Sequence, residues 1–439
     1  MDFGEAPRPS VDTEGRLYGR PRAMPDETLV RSGPGTPGGE LLRRYWQPLA
    51  LATDVKDLPV PVKIFGEELV LFRGGNGIPG LLYPRCMHRG TSLLFGKVEE
   101  DGLRCCYHGW KFDAVGHCID MACEPGSEQM GRVRQPWYPL VEKWGIIFTY
   151  MGPAERQPLF PRISICEDLG DDEEIVAVGG LANAGNNRFR TEFNWWTVRD
   201  DVMDPYHLYF LHSNLNGIQL ISSWKAMPKV EFRATPDGAL SYAYRDLEGG
   251  GVLLRIGQSF MPNLNATDTT SDKPCQSGVD WTIAIDDTSY RSFLLMRRKR
   301  GVPESMEEFA KTGIGSGSWG GMYKSIDEPW TLEDRQRWQS DYETQGGQGE
   351  ISLHSDDHLS AKLDGGVSII RRMFKQNAEI VAQGGDPVGV TFDEPYLYNV
   401  AAGVAILTDG KKTGVAGFDE RITARGAATG IGLQGPNSD

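Results

Sequence analysis

Two cysteine–histidine pairs stand close together in the first quarter of the chain. Cys86 and His88 form a Cys-x-His pair, and Cys105 and His108 form a Cys-x-x-His pair after sixteen intervening residues. Two thiolates and two imidazoles can hold a [2Fe–2S] cluster, with two cysteines on one iron and two histidines on the other. A tetrahedral zinc ion takes the same donors. Zinc fingers usually pair like with like, however, whereas each loop here supplies one of each type, which favours the iron–sulfur cluster.

A second group of possible metal ligands lies in the sequence R-D-D-V-M-D-P-Y-H-L-Y-F-L-H. His207 and His212 are five positions apart, so on a regular helix they diverge by about 140°. Both reach one metal ion only if the helix distorts or ends between them. Two imidazoles and one carboxylate form the facial triad of mononuclear non-haem Fe(II). The alternative is two buried or capped histidines on an amphipathic helix, but a one-electron carrier in the same chain needs an acceptor and so favours the metal site.

The carboxylate of this second site has several candidates in the sequence. Asp204, three residues before His207, is better placed to accept a hydrogen bond from an imidazole N–H. Downstream, the stretch G-E-I-S-L-H-S-D-D-H-L-S offers Asp356 and Asp357. The same stretch contains His354 and His358, whose i, i+4 spacing could bind a metal alone. That rival site would leave His207 and His212 without a role.

Composition excludes several classes of function. The net charge of −14 argues against non-specific nucleic-acid binding, which requires a basic surface. No apolar run approaches the roughly 18 residues that a membrane span needs. The first ten residues lack the features of a secretory signal. Seven cysteines without a small-scaffold spacing indicate ligands and buried thiols in a reducing compartment, so we expect a cytoplasmic protein.

The residue pattern predicts three parts of the chain. Residues 1–41 form an arm and the start of the catalytic domain, residues 42–158 a small all-β unit with the cluster loops at its tip, and residues 159–439 a second domain of mixed periodicity. Short runs of apolar and β-branched residues separated by Gly and Pro indicate the β unit. The resulting fold class is α+β, with an all-β domain inserted in a catalytic domain whose antiparallel sheet is flanked by helices.

Within the second domain, apolar periodicity predicts individual elements. We expect a helix from Thr191 to about His212, a hairpin over 280–297 that turns near Asp286, and a helix from His358 to about Ala382 with a kink at Gly365. Three further strands are expected at 229–233, 240–245 and 252–260. The tail from about residue 419 is Gly/Ala-rich and is expected to pack poorly.

With both metal-binding stretches in view, the chain resembles the oxygenase component of the Rieske non-haem iron aromatic ring-hydroxylating oxygenases, and most closely the phthalate-dioxygenase-like group. The resemblance extends from about R-S-G-P-G-T-P-G-G-E-L-L-R-R-Y-W to the 360s, and it includes C-M-H-R-G-T-S-L, L-R-C-C-Y-H-G-W-K-F-D, D-P-Y-H-x₄-H and the I-D-D-T hairpin. Respiratory Rieske proteins have two further cysteines that form a disulfide. Thr91 and Tyr107 occupy those positions here, so the sequence is similar to the oxygenase type.

The resemblance implies roles for the candidate residues. Cys86, His88, Cys105 and His108 would hold the Rieske [2Fe–2S] cluster, and His207, His212 and one aspartate would hold Fe(II). The aspartate of the family is followed eight residues later by glycine, which Asp357 with Gly365 satisfies and Asp356 with Asp364 does not.

The resemblance also implies an assembly. Members form head-to-tail homotrimers, sometimes paired into hexamers, in which the cluster of one subunit lies beside the Fe(II) of the next. Asp204 matches the aspartate that bridges a cluster histidine of one subunit to an iron histidine of its neighbour.

The implied function is that of a terminal oxygenase, which uses O₂ and NAD(P)H electrons to hydroxylate an aromatic, carboxylated substrate. A separate reductase must supply the electrons, because no flavin or nicotinamide fingerprint is present. A carboxylate substrate would need a cation in the pocket, and Arg245 and Arg255 lie on expected strands in the appropriate region. Outward-facing strand arginines are the alternative for both.

Two other functions share much of this pattern. A Rieske monooxygenase or demethylase that removes an O- or N-alkyl group would use the same metal ligands, and only its products would differ. A pure electron-transfer Rieske protein would carry a structural second domain and no mononuclear iron.

Overall fold

The computed structural model describes residue 17 and residues 20–179, 190–217, 222–248, 250–267, 278–301, 331–408 and 411–413. The tail that the sequence predicts from about residue 419 lies outside the described residues.

The chain begins with two short helices that belong to the catalytic domain. Helix α1 (Glu27–Val30) is capped by the side chain of Asp26, and α2 (Pro37–Arg43) is capped by Thr36, with proline in its first turn. Both pack against a long helix near the end of the chain, Gly365–Ala382. The arm is therefore anchored on the catalytic domain before the chain enters the β unit.

The β unit contains three small antiparallel sheets. Its strands are β1 (Gln47–Leu51), β2 (Val60–Ile64), β3 (Glu67–Arg73), β4 (Pro79–Leu82), β5 (Lys97–Glu99), β6 (Gly102–Arg104), β7 (Trp110–Phe112), β8 (Cys118–Met121), β9 (Trp137–Tyr138), β10 (Leu140–Lys143) and β11 (Ile146–Thr149). They pair in the orders β2-β3-β4-β9, β5-β6-β7-β8 and β1-β11-β10. The loops β4–β5 and β6–β7 carry the two Cys–His pairs.

The second domain is built on one large antiparallel sheet. The sheet contains β13 (Glu173–Val178), β14 (Arg190–Thr191), β15 (Lys229–Thr235), β16 (Gly238–Asp246), β17 (Val252–Phe260), β18 (Leu264–Thr267), β19 (Gly278–Asp286), β20 (Ser289–Lys299), β22 (Gly403–Thr408) and β23 (Lys411–Thr413). Two further strands, β12 (Arg162–Ile163) and β21 (Leu397–Tyr398), form a separate parallel pair. The main path of the sheet is β13-β20-β19-β18-β17-β16-β15. The predicted strands and the hairpin turn after Asp286 are thus present.

Helices of this domain are α3 (Trp196–Val202), α4 (His207–Phe210), α5 (Leu332–Arg337), α6 (Asp341–Gly346) and α7 (Gly365–Ala382). Single turns of 3₁₀ helix occur at Ala52–Asp54, Leu93–Phe95, Ala154–Arg156, Ser164–Cys166, Ser222–Lys225 and His354–Asp356. The buried face of α7 includes Ile370 and Phe374, and Phe374 contacts Trp195 and Trp196 before and in α3. Sheet and helices enclose a common apolar core, and the fold class predicted from sequence, α+β with an inserted all-β domain, is confirmed.

Two helices in the structure differ from those predicted. The single helix from Thr191 to His212 is wrong, because α3 ends at Val202 and α4 starts at His207. Pro205 lies between them, has no N–H to donate and disfavours helical backbone at the residue before it. The later helix begins at Gly365 and not at His358. A Cβ atom on Gly365 would lie 2.9 Å from the ring of Phe232, so the close approach of this ring to the helix start requires glycine.

The hairpin turn after β19 joins the two domains. Asp286 Oδ2 accepts a hydrogen bond of 2.7 Å from Lys63 on β2. Asp287 binds the N-terminal segment, because its carboxylate accepts bonds from Arg31 Nη1 (2.9 Å) and from the backbone N–H of Ser32 (2.9 Å). Two successive aspartates therefore hold the β unit and the N-terminal segment against the catalytic sheet.

We predict that Asp286→Asn lowers the apparent unfolding temperature at pH 7. Burial, the largest effect, would raise the pKa of Asp286, but hydrogen bonds from Lys63 and Ser289 outweigh it and hold the pKa at about 2. Since this folded-state pKa lies below the unfolded value, the stabilisation is present above pH 4 and is lost as the pH falls towards 2. After allowance for solvent screening, it amounts to about 1 kcal/mol.

The measurement is thermal unfolding followed by circular dichroism at pH 7 and pH 3. The difference in apparent unfolding temperature between wild type and Asp286→Asn should be smaller at pH 3 than at pH 7. Asp246→Asn is the matched control, because Asp246 forms an exposed ion pair of 3.7 Å with Lys229. Equal effects of the two substitutions at pH 7 would contradict the domain-joining role.

Candidate functional site

The two cluster loops share one local conformation. In the first, the N–H of Gly90 donates to the carbonyl of Cys86 (2.8 Å), and in the second the N–H of Gly109 donates to the carbonyl of Cys105 (3.2 Å). Both glycines have positive φ, +74° and +73°. This left-handed conformation closes each loop tightly and favours glycine over any residue with a Cβ atom.

Each loop places its thiol inside and its imidazole at the tip. Cys86 and Cys105 are 3% exposed and belong to the apolar core of the β unit, whereas His88 and His108 are half-buried. The imidazole rings adjoin each other, with centroids 4.5 Å apart. The ring of His88 also stacks on Trp110, with centroids 4.4 Å apart and planes 8° from parallel. The donors are thus sorted into a buried sulfur pair and an outer nitrogen pair.

Backbone groups surround the buried sulfur pair. Burial raises the pKa of the Cys86 thiol to about 12, and the adjacent Cys105 thiol acts in the same direction. The backbone N–H groups of His88 and Arg89 donate to the Cys86 sulfur and act against burial. Such N–H groups stabilise a thiolate ligand once a metal replaces the proton.

The separation of the donors distinguishes one metal ion from two. A zinc ion holds sulfur at about 2.3 Å and nitrogen at about 2.0–2.1 Å, so its four donor atoms lie within about 4 Å of one another. Among the described residues, no three donors from these two loops lie within 4.8 Å of one another. The arrangement therefore fits a two-iron cluster, with a pair of like donors at each end, better than a single zinc ion.

The second candidate site lies where α4 changes into a π-helical turn, Leu211–Leu215. The turn holds one residue more per turn than an α-helix, so it rotates His212 back towards His207. The ring centroids of the two histidines are 5.3 Å apart. Sequence analysis requires a distortion between the two histidines, and the π-helical turn is that distortion.

Asp341 completes this group. Its Oδ1 atom lies 2.7 Å from Nε2 of His212 and 3.9 Å from Nε2 of His207. The three donor atoms all lie within 4.8 Å of one another, and His212 and Asp341 are buried. Two imidazoles and one carboxylate around one point are the donor set of a mononuclear Fe(II) site with open positions.

The expectation that Asp357 supplies this carboxylate is wrong. Its Oδ2 atom lies 2.6 Å from Nη1 of Arg371, and it belongs to no three-donor group in the part of the chain that the structure describes. Asp356 instead pairs with Arg20 at 2.8 Å. The eight-residue spacing from Asp357 to Gly365 matches the family pattern, but the α-helix begins only at Gly365.

The local sequence marks the start of the helix that carries Asp341, but not its proximity to the histidines. Ser340 and Glu343 form a reciprocal capping box, which marks the start of a helix at Asp341. The rival pair does not assemble either, because Nδ1 of His354 accepts a bond from the backbone N–H of Asp26 (3.2 Å), while His358 is exposed.

Two carboxylates lie behind His207. Asp204 Oδ2 is 3.9 Å from Nδ1 of His207, and Asp201 Oδ1 is closer at 3.4 Å. Asp204 also accepts a bond from the backbone N–H of Tyr206 (2.9 Å), which fixes its orientation at the start of α4. Asp201 was not singled out from the sequence. Gln345 Nε2, one turn after Asp341 on α6, donates to Asp201 (3.0 Å) and links α6 to α3.

Arg245 is fully buried close to these ligands. Its Nη2 atom donates to the carbonyl of Pro205 (3.2 Å), two residues before His207, while Nε and Nη1 have no hydrogen-bond partner. Burial lowers the pKa of Arg245 to about 9, and the nearby Arg255 acts in the same direction. Arg255 lies over the ring of Trp224, 5.6 Å from its centroid. The outward-facing alternative is therefore wrong for both arginines, which are buried.

None of the described helices is both long enough and apolar enough to cross a membrane.

Comparison with known proteins assigns the family. A Rieske [2Fe-2S] domain model matches residues 45–137. The alpha subunit of phenoxybenzoate dioxygenase from Ectopseudomonas oleovorans is 43% identical over 88% of this chain and 93% of that protein. The oxygenase subunit of tert-butanol monooxygenase / tert-amyl alcohol desaturase from Aquincola tertiaricarbonis is 34% identical over 79% of this chain and 75% of that protein.

A solved structure shows the same fold. The oxygenase in a reduced complex between oxygenase and ferredoxin of carbazole 1,9a-dioxygenase superposes with a TM-score of 0.53 at 18% identity, and the match covers 82% of this chain and 94% of that one. At this level of identity the likeness concerns the fold alone. The resemblance inferred from sequence, the enzyme class and both cofactors, a [2Fe–2S] cluster and a mononuclear iron, are confirmed. The chain belongs to the Rieske non-haem iron ring-hydroxylating oxygenases, as the oxygenase component of a multicomponent system.

Proposed function

We propose that Cys86, Cys105, His88 and His108 hold the [2Fe–2S] cluster. Support comes from the buried sulfur pair, the adjoining imidazoles and the absence of a single-ion geometry among these four described residues. The surrounding Rieske domain is proposed to span residues 42–158. That range encloses the matched segment 45–137 and the strands from β1 to β11.

We propose that His207, His212 and Asp341 hold the mononuclear iron. Once bound, the iron supplies O₂ activation at its open positions, with electrons that the cluster delivers. Asp201 Oδ1 lies 3.4 Å from Nδ1 of His207, and Nε2, the ring nitrogen nearer to Asp341, is the one that would face the metal. Gln345 keeps the carboxylate of Asp201 in that position.

The proposed substrate is an aromatic carboxylate, which the enzyme hydroxylates with O₂. The observation that carries this proposal is the buried guanidinium of Arg245, whose Nε and Nη1 atoms have no partner. An unpaired buried charge is costly unless an anion neutralises it, and the fork of an arginine matches a carboxylate. The relative from Ectopseudomonas oleovorans is named for phenoxybenzoate, an aromatic carboxylate.

We propose that the protein works as a head-to-tail homotrimer, alone or paired into a hexamer. Apolar side chains surround the imidazole tip of the β unit, with Met87 48% and Tyr107 54% exposed. A neighbouring subunit would cover this surface and bring Asp204 of one chain to His108 of the next. Electrons would come from NAD(P)H through a separate reductase in the cytoplasm.

The ligand assignment predicts opposite outcomes for two aspartates. Asp341→Ala should lose the mononuclear iron and keep the visible absorbance of the cluster, because it removes the only carboxylate in the three-donor group. Asp357→Ala is the matched control and should retain three irons per chain. Iron analysis together with absorbance measures both. Loss of one iron in Asp357→Ala and not in Asp341→Ala would reverse the assignment.

The bridging role predicts a kinetic defect without metal loss. Asp204→Asn should keep both iron sites filled but slow electron transfer from the reduced cluster to the mononuclear site, because a neutral amide is a poorer acceptor for the two imidazole N–H groups. Single-turnover oxidation of the reduced cluster with substrate and O₂ measures this step. Asp201→Asn is the comparison variant, because it changes the other carboxylate beside His207 of the same subunit. A wild-type rate in Asp204→Asn would exclude the bridge.

The substrate proposal predicts O₂ uptake that depends on a carboxylate. A panel of aromatic acids and their methyl esters, assayed with a generic reductase, should show uptake with acids only. Arg245→Met should raise KM for an active acid by roughly 10- to 100-fold, the value of a hydrogen bond to a charged group. Arg233→Met, at an exposed arginine of β15, is the control. Equal turnover of acids and esters would contradict the proposal.

A monooxygenase or dealkylating reaction is the second candidate. The observation in its favour is the 34% identical relative, which is named as a monooxygenase and desaturase. Product analysis with ¹⁸O₂ separates the two reactions, because a dioxygenase inserts both labelled atoms into the product and a monooxygenase inserts one.

A further inference from the structure

The first cluster loop follows strand β4, and the backbone pairing of β4 with β9 ends shortly before this loop. β9 pairs with β4 at Trp137 and Tyr138, and the N–H of Tyr83 extends this ladder by donating to the carbonyl of Pro136 (2.8 Å). Pro136 has no N–H, so it cannot return a bond to the carbonyl of Tyr83. The main-chain ladder therefore stops three residues before Cys86.

The side chain of Gln135 continues the ladder past the proline. Its Nε2 atom donates to the carbonyls of Tyr83 and Arg85, both at 2.8 Å, and its Oε1 atom accepts from the N–H of Met87 at 3.0 Å. These three positions alternate along one edge of the chain, as the bonding partners of a strand do. Gln135 is 0% exposed, and both of its amide donors and its oxygen are engaged in these bonds.

The backbone of Gln135 is fixed from the opposite side. Its N–H donates to the carbonyl of Gly116 (2.8 Å), in the turn between β7 and β8. A Cβ atom on Gly116 would lie 2.0 Å from the carbonyl oxygen of Gln135, so the two segments are in close contact. Strand β7 begins at Trp110, the ring that stacks on His88. Gln135 thus connects the first cluster loop with the turn at the end of β7, the strand that follows the second cluster loop.

We propose that Gln135 is a positioning residue for the Rieske cluster, which holds the loop of Cys86 and His88 through the N–H of Met87 between them. This inference rests on the proposed assignment of Cys86 and His88 as ligands. Hydrogen bonds around a cluster set its reduction potential, and groups that orient ligands typically contribute about 10- to 100-fold to metal retention. A buried glutamine that only stabilised the fold would leave the cluster's potential unchanged.

Two variants test the role. Gln135→Met removes all three bonds with little change in side-chain length, and Gln135→Glu keeps the acceptor for Met87 but loses the donors to the two carbonyls. We expect loss of the cluster to a chelator to be at least about tenfold faster in Gln135→Met. We also expect a shifted midpoint potential and shifted EPR g values of the reduced cluster, with a smaller effect in Gln135→Glu. The mononuclear iron should remain, which separates the effect from unfolding.

Gln157→Met, at an exposed glutamine, is the matched control and should behave as wild type. If Gln135→Met does not accumulate as folded protein, the same measurements on Gln135→Glu decide. Wild-type chelator resistance, potential and EPR signal in the measured variant would overturn the inference. Cys86→Ser distinguishes this failure from failure of the ligand assignment, because a cluster that survives Cys86→Ser would show that the assignment itself is wrong.

Discussion

Three polar donors must meet at one buried point, and the catalytic domain is arranged around that constraint. His207 and His212 approach each other only because α4 passes into a π-helical turn, and Asp341 reaches them from the first residue of a separate helix. None of these elements is long enough to be stable by itself. They depend on the large sheet and on α7, where Arg371 binds Asp200 of α3 and fixes that helix from behind.

Two buried arginines of this domain differ in how many of their N–H groups have hydrogen-bond partners. Arg199 is fully buried on α3, but its guanidinium donates to the carbonyls of Leu264 and Phe260 and to the side chain of Asn265. It thereby ties α3 to the sheet. Arg245 is equally buried and has only the carbonyl of Pro205 as a partner. Burial lowers the pKa of both, but Arg199 has only Nε without a hydrogen-bond partner, whereas both Nε and Nη1 of Arg245 have none.

The two domains hold their candidate metal ligands in place by different kinds of contact. In the β unit, backbone turns with positive φ and a glutamine side chain fix two loops whose sulfur atoms lie in an apolar core. In the catalytic domain, side-chain pairs between helices fix groups beside the candidate ligands, as Gln345 does for Asp201 next to His207. The hairpin turn at Asp286 and Asp287 joins these two constructions.

The sequence by itself determined which candidate ligands lie close together in the chain. Cys86 with His88, Cys105 with His108, and His207 with His212 could be recognised because local spacing restricts which donors share a metal. It also determined the α+β fold class through the apolar periodicity of the strands. Only the tertiary structure points to the third carboxylate of the proposed iron site. Asp357 and Asp341 are both compatible with local patterns, but Asp357 pairs with Arg371, and only the packing of α6 brings Asp341 to the histidines. Contacts such as those of Gln135 with Met87 and Gly116 span up to 48 positions, a separation at which spacing carries no information.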